Sequence, residues 1–143
     1  MGGIDLAVSF LLMEQGCDYL RRDRDLNILI VEDEAVARSA LASLLTSRGF
    51  VTQTAESAEA ALDRLKDGSV PEVALIDLDL PGMNGAELIR RLKMDRPNIL
   101  PILITAEVRE KVVPSLPAVH YLRKPFNFDD LLHAISDIER PSA

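Results

Sequence analysis

Short apolar runs alternate with longer amphipathic stretches along most of this chain. Ile28-Leu29-Ile30-Val31 reads as a strand closed by Glu32-Asp33-Glu34, and Ala37, Ala40, Leu41, Leu44 and Leu45 then recur at helical spacing. Arg48-Gly49 ends that helix with a residue free to adopt a left-handed cap. Residues 50–55 alternate weakly and suit a second strand, after which Ser57 can cap a helix carrying Ala58, Ala61, Leu62 and Leu65. Val73 to Ile76 is a continuous apolar run, the mark of a strand buried on both faces, and it leads directly into Asp77. A helix over residues 85–93 follows, with Ala86, Leu88, Ile89 and Leu92 inward. A fourth strand spans residues 99–104, with Pro101 tolerable near its entry. Pro114 and Pro117 confine any helix after Glu107 to residues 107–113. A fifth strand over residues 118–122 precedes a last helix, capped by Asn127, that carries Leu131, Leu132, Ile135 and Ile138. Five strands alternating with helices predict an α/β fold, a doubly wound five-stranded parallel sheet with a shortened or irregular fourth helix.

Composition narrows the function classes. A 143-residue chain with 48% hydrophobic and 27% charged residues can bury one sizeable core. The net charge of −7 argues against direct DNA binding, because phosphate contacts need clustered Lys and Arg. No span approaches the ~20 apolar residues of a membrane helix. The single cysteine, Cys17, has no internal partner and suits a reducing, cytoplasmic setting. Residues 1–25 differ from the rest: Ile4, Leu6, Ala7, Phe10 and Leu11 allow a helix, and Asp18 to Asp25 is a charged connector. The preferred reading is an extension packed against the domain or fraying from it; the other is a helix that pairs two copies as a homodimer.

The strand ends carry the chemistry. Glu32 and Asp33 follow the first strand, Asp77 the third, Thr105 the fourth and Lys124 the fifth. Right-handed crossovers place these ends on one edge of the sheet, where open α/β folds bind ligands. Like charges ~4 Å apart repel by about 4 kcal/mol at an effective dielectric of about 20, so the acids call for a cation. An all-oxygen donor set with positions left for water and phosphate suits Mg2+. Asp33 and Asp77 would ligate it directly, and Glu32 directly or through water. One carboxylate could then form an acyl phosphate, held by the Thr105 hydroxyl and the Lys124 ammonium. Neither G-x-G-x-x-G nor G-x-x-x-x-G-K-[ST] is present, so dinucleotide and P-loop readings lose their support. His120 and His133 stand without ligand-spaced companions.

I-L-I-V-E-D-E, L-I-D-L-D-L-P-G-M-N-G, P-I-L-I-T-A and Y-L-R-K-P-F occur in this order, and the chain resembles the receiver domain of bacterial response regulators over about residues 26–140. The resemblance implies that Asp77 accepts phosphate from a sensor histidine kinase or a histidine phosphotransfer protein. It also implies that Glu32 and Asp33 form the acidic pair and that the Asp79 backbone carbonyl ligates Mg2+. Thr105 and Tyr121 match the family's switch pair, and Lys124-Pro125 its lysine before a cis proline. Two departures stand out: Glu32 replaces the commoner aspartate, and the stretch from Thr105 to Lys124 is shorter than usual and contains two prolines. The expectation is a stand-alone receiver: an extension over 1–25, the domain over 26–140, a tail over 141–143, and no output domain after Pro141. It would switch a protein-binding surface toward a downstream protein target, or pass phosphate to another protein, and would be no enzyme beyond its own phosphorylation and dephosphorylation. The competing reading is a metal-dependent phosphohydrolase with Asp77 as nucleophile and Asp79 as the second acid.

Overall fold

The computed structural model describes residues 26–107, 116 and 120–139. Strands β1 (Asn27–Val31), β2 (Val51–Ala55), β3 (Val73–Asp77), β4 (Leu100–Thr105) and β5 (His120–Arg123) form one parallel sheet in the order β2-β1-β3-β4-β5. Helices α1 (Ala35–Ser47), α2 (Ala58–Lys66), α3 (Gly85–Asp95) and α4 (Phe128–Glu139) connect or follow them. This is the doubly wound sheet that the alternating pattern predicts. The expected helix over 107–113 and the extension over 1–25 lie outside the described residues, apart from Glu107.

β3 sits in the middle and every one of its residues is buried, as its unbroken apolar run requires. The period-two alternation of the strands sorts their side chains between two cores. Ile28, Ile30, Val73, Leu75, Ile102 and Ile104 face one side, with Leu45 of α1 and Leu131 and Ile135 of α4. Leu29, Val31, Ala74, Ile76 and Leu103 face the other, with the apolar stripes of α2 and α3. Pro101 is the second residue of an interior strand, so the strand entry rather than an edge accommodates it.

The helix ends follow local chemistry. Ser57 and Asn84 accept the N–H groups of Ala60 and Glu87, and Asn127 accepts that of Asp130 at 2.8 Å. Gly49 closes α1 at φ 97, in the left-handed region expected of it. α1 departs from the simple picture. Of its apolar stripe only Leu45 is fully buried, while Ala40 and Leu44 are exposed. One row of contacts suffices to seat the helix on the sheet. The remaining apolar positions line an open groove with Pro125 and Phe126. No helix among the described residues is long and apolar enough to cross a membrane.

Candidate functional site

The connections from β1 to β2 and from β3 to β4 run in opposite directions across the sheet, so the crevice opens at the carboxyl ends of β1 and β3. Register fixes who meets there: Val31 lies beside both Ala55 and Ile76, and Asp77 lies beside Ile104. Glu32, Asp33 and Asp77 consequently come together, each offering a carboxylate oxygen within 4.8 Å of the others. Glu32 and Asp77 are buried and Asp33 is exposed, so two acids form the floor and one the rim. The sheet pairing continues one step past the strand ends, with Leu78 N–H donating to the Ile104 carbonyl at 2.9 Å and Lys124 N–H to the Thr105 carbonyl at 2.8 Å. The site residues therefore hang from the ladder itself.

Both oxygens of Asp77 are engaged. Oδ1 accepts the Asp79 N–H at 3.1 Å, and Oδ2 lies 3.4 Å from the Lys124 ammonium. The Lys124–Pro125 bond is cis, as the family resemblance implies. Thr105 is fully buried at the end of β4 and its Oγ1 accepts the Glu107 N–H at 3.0 Å. The Tyr121 hydroxyl donates to the Glu107 carbonyl, so the two expected switch residues hold the amino and carbonyl ends of one residue. Asp79 is exposed and its carboxylate stands outside the acidic cluster. His120 and His133 are both exposed.

Glu32 is pushed above its ordinary value, chiefly because burial disfavours its charged form, with the Asp77 and Asp33 charges adding to the effect. The Glu34 N–H donated to its Oε2 at 3.0 Å and the Lys124 charge oppose that shift without cancelling it. Three acids this close, two of them buried, carry uncompensated repulsion that one partly exposed ammonium relieves only in part. The donor set is all oxygen, which fits a hard divalent cation such as Mg2+.

Two contributions escaped the sequence reading. Arg38, one turn into α1, donates to the main-chain carbonyls of Glu32 and Asp33. Glu59 of α2 accepts the Met83 N–H at 3.1 Å and so ties down the turn after β3. An arginine one helical turn beyond E-D-E is a visible signal for the first; nothing local connects residues 59 and 83.

Comparison with known proteins agrees with this geometry. The family model described as "Response regulator receiver domain" matches residues 28–136, and the chain belongs to that family, whose members are signalling modules of two-component systems. It is 35% identical over 121 residues to the two-component response regulator PhoP of Pseudomonas aeruginosa, covering 82% of this chain and 53% of that protein. The chain thus spans about half the length of that relative. It is 32% identical over 111 residues to sporulation initiation phosphotransferase F of Bacillus subtilis, covering 76% of this chain and 89% of that protein. Among solved structures, response regulator TrrA of Thermotoga maritima, in complex with Mg2+-BeF, superposes with a TM-score of 0.72 at 30% identity, covering 80% of this chain and 99% of that one. None of these findings supports the phosphohydrolase alternative.

Proposed function

We propose that Asp77 is the phosphoacceptor of this receiver domain and that residues 26–140 work as one phosphorylation-controlled unit. The observation that carries this reading is the setting of Asp77: a buried carboxylate at the end of the central strand, within 4.8 Å of two further acids and 3.4 Å from an ammonium. Glu32, Asp33, Asp77 and the Asp79 carbonyl would hold Mg2+. Bound there, the cation would neutralise phosphoryl oxygens and let the acids coexist.

The chain's own residues do the rest. An Asp77 oxygen attacks the phosphorus of a phosphohistidine on a sensor kinase or phosphotransfer protein. The O–P bond forms as the N–P bond breaks, and the electron pair returns to the imidazole. Lys124 exchanges its contact with the free carboxylate for one with the incoming phosphoryl group, where a charged donor is strongest. The Thr105 hydroxyl, buried at the adjacent strand end, turns from the Glu107 N–H toward the same group. Tyr121, bonded to the other end of Glu107, follows that segment. This couples phosphorylation to a protein-binding surface for a downstream target or a further phosphotransfer partner. The reading assigns no direct DNA binding, no membrane insertion and no turnover of other substrates to these residues, and places the chain in the cytoplasm.

The test is incubation with Mg2+ and a small phosphodonor, followed by intact-mass measurement beside Asp77→Asn. The native chain should gain one phosphoryl group and the variant none. No adduct on the native chain, or the same adduct on both, overturns the assignment.

A further inference from the structure

The junction between β1 and α1 is built unlike its counterparts. The N-cap residue of α1, Glu34, makes no side-chain capping bond, whereas Ser57 and Asn84 cap α2 and α3. The last rung from this junction to β2 is the Glu32 N–H bonded to the Ala55 carbonyl at 3.1 Å. Arg38 Nη1 reaches back from α1 and donates to the Glu32 carbonyl at 2.9 Å and to the Asp33 carbonyl at 3.3 Å. Its guanidinium lies at the main chain of Glu32 and Asp33, yet among the described residues it forms no ion pair with either carboxylate.

We propose that Arg38 is a positioning residue for the cation site: by gripping the main chain of Glu32 and Asp33 it holds their carboxylates toward Asp77 while itself occupying none of the carboxylate oxygens that a divalent cation would use. The inference rests on the reading of Glu32, Asp33 and Asp77 as that site. Its physical basis is the choice of acceptor. A guanidinium paired with a carboxylate would occupy ligand oxygens, whereas one bonded to main-chain carbonyls offsets part of the acids' mutual repulsion and fixes the loop geometry. Outer-shell groups of this kind orient the ligands they touch.

The sign of one measurement separates this role from simple electrostatics. Coulomb's law alone says that removing a positive charge near the site tightens binding of a second cation. Positioning says the reverse. Mg2+ is titrated into the full-length native chain, Arg38→Met and Arg38→Lys, with binding followed by calorimetry and the junction by amide hydrogen exchange at Glu34 and Ala35. Arg38→Met should bind Mg2+ about tenfold more weakly, the lower end of the range for lost outer-shell partners, with faster exchange at both amides. Arg38→Lys keeps the charge but ends one bond short of Nη1, the atom that donates to both carbonyls, so it should bind severalfold more weakly than native. Unchanged or tighter binding by Arg38→Met overturns the proposal. Should Arg38→Met not fold, Arg38→Lys decides alone, and native-like affinity there overturns it. Failure of the native chain to bind Mg2+ would sink the site reading instead, and unaltered exchange at Glu34 and Ala35 in the variants would then overturn the clamp independently.

Discussion

The two loops that carry the acids do the same work by opposite means. After β3, the chain is held chiefly by backbone fit: Gly85 N–H bonds to the Leu78 carbonyl at 3.0 Å, and a Cβ placed on Gly85 would collide with the Asp77 carbonyl oxygen. Asn84 caps α3 on the spot. After β1, the chain is held by side chains: Glu32 accepts the Glu34 N–H, and Arg38 reaches back over the turn. The loop that presents the proposed phosphoacceptor has no room for a side chain at Gly85, while the loop that presents the acidic pair is set by groups that can be exchanged one at a time. Rigidity is thus concentrated where bonds would form and break, and adjustability where a cation would be held.

Breaking the tight loop should cost most. Gly85→Ala forces the start of α3 off the Asp77 main chain, an overpacking that should lower stability by about 1–3 kcal/mol in urea unfolding. Phosphoryl uptake at Asp77 should fall with it. Asn84→Ala removes the α3 cap and should cost about 1 kcal/mol in the same assay. The other loop should respond with the reverse sign: Glu34 has extended backbone at the N-cap of α1, so Glu34→Ser supplies the missing cap and should add about 0.5 kcal/mol. Equal losses from Asn84→Ala and Glu34→Ser would erase the contrast.

The smallest effect concerns Glu32. Its folded value lies above its ordinary value of 4.5, so without metal the folded chain keeps this proton at pH values where the unfolded chain has released it. Glu32 therefore subtracts stability as pH rises from 4.5 through the raised value, and the deficit is constant above that. Glu32→Gln, which can still accept the Glu34 N–H, should make the metal-free protein more stable at neutral pH, with the gain vanishing as pH falls below 4.5. A gain that grows toward low pH would contradict the burial account. The same substitution should weaken Mg2+ binding, so one change moves metal-free stability and metal affinity in opposite directions.

Much of this was legible in the sequence because period and position carry it. The apolar run before Asp77 specifies an interior strand, and the crossover rule then brings Glu32, Asp33, Thr105 and Lys124 to the same edge. Caps at Ser57, Asn84 and Asn127 and the left-handed Gly49 are local chemistry, and polar side chains or glycine at those positions announce them. The rest depends on geometry that periodicity does not encode. The stripe on α1 looks wider than the surface it buries, because helical spacing tells which residues share a face but not how much of that face the sheet covers. The place of Arg38 one turn beyond E-D-E hints at a contact, but only its rotamer, which carries Nη1 back over the turn, shows that main-chain carbonyls accept it. Glu59 and Met83 meet only because α2 and the loop after β3 pack on the same side.

The rungs that continue beyond the strand ends have a thermal consequence. Leu78 and Lys124 are joined to the neighbouring chain ends by the same hydrogen bonds that hold the sheet. Among the described residues, Leu78 and Lys124 therefore open with the sheet rather than ahead of it. On warming, the capacity to take up a phosphoryl group should persist nearly unchanged up to the unfolding transition and vanish with it, so the module would fail as a whole rather than fade.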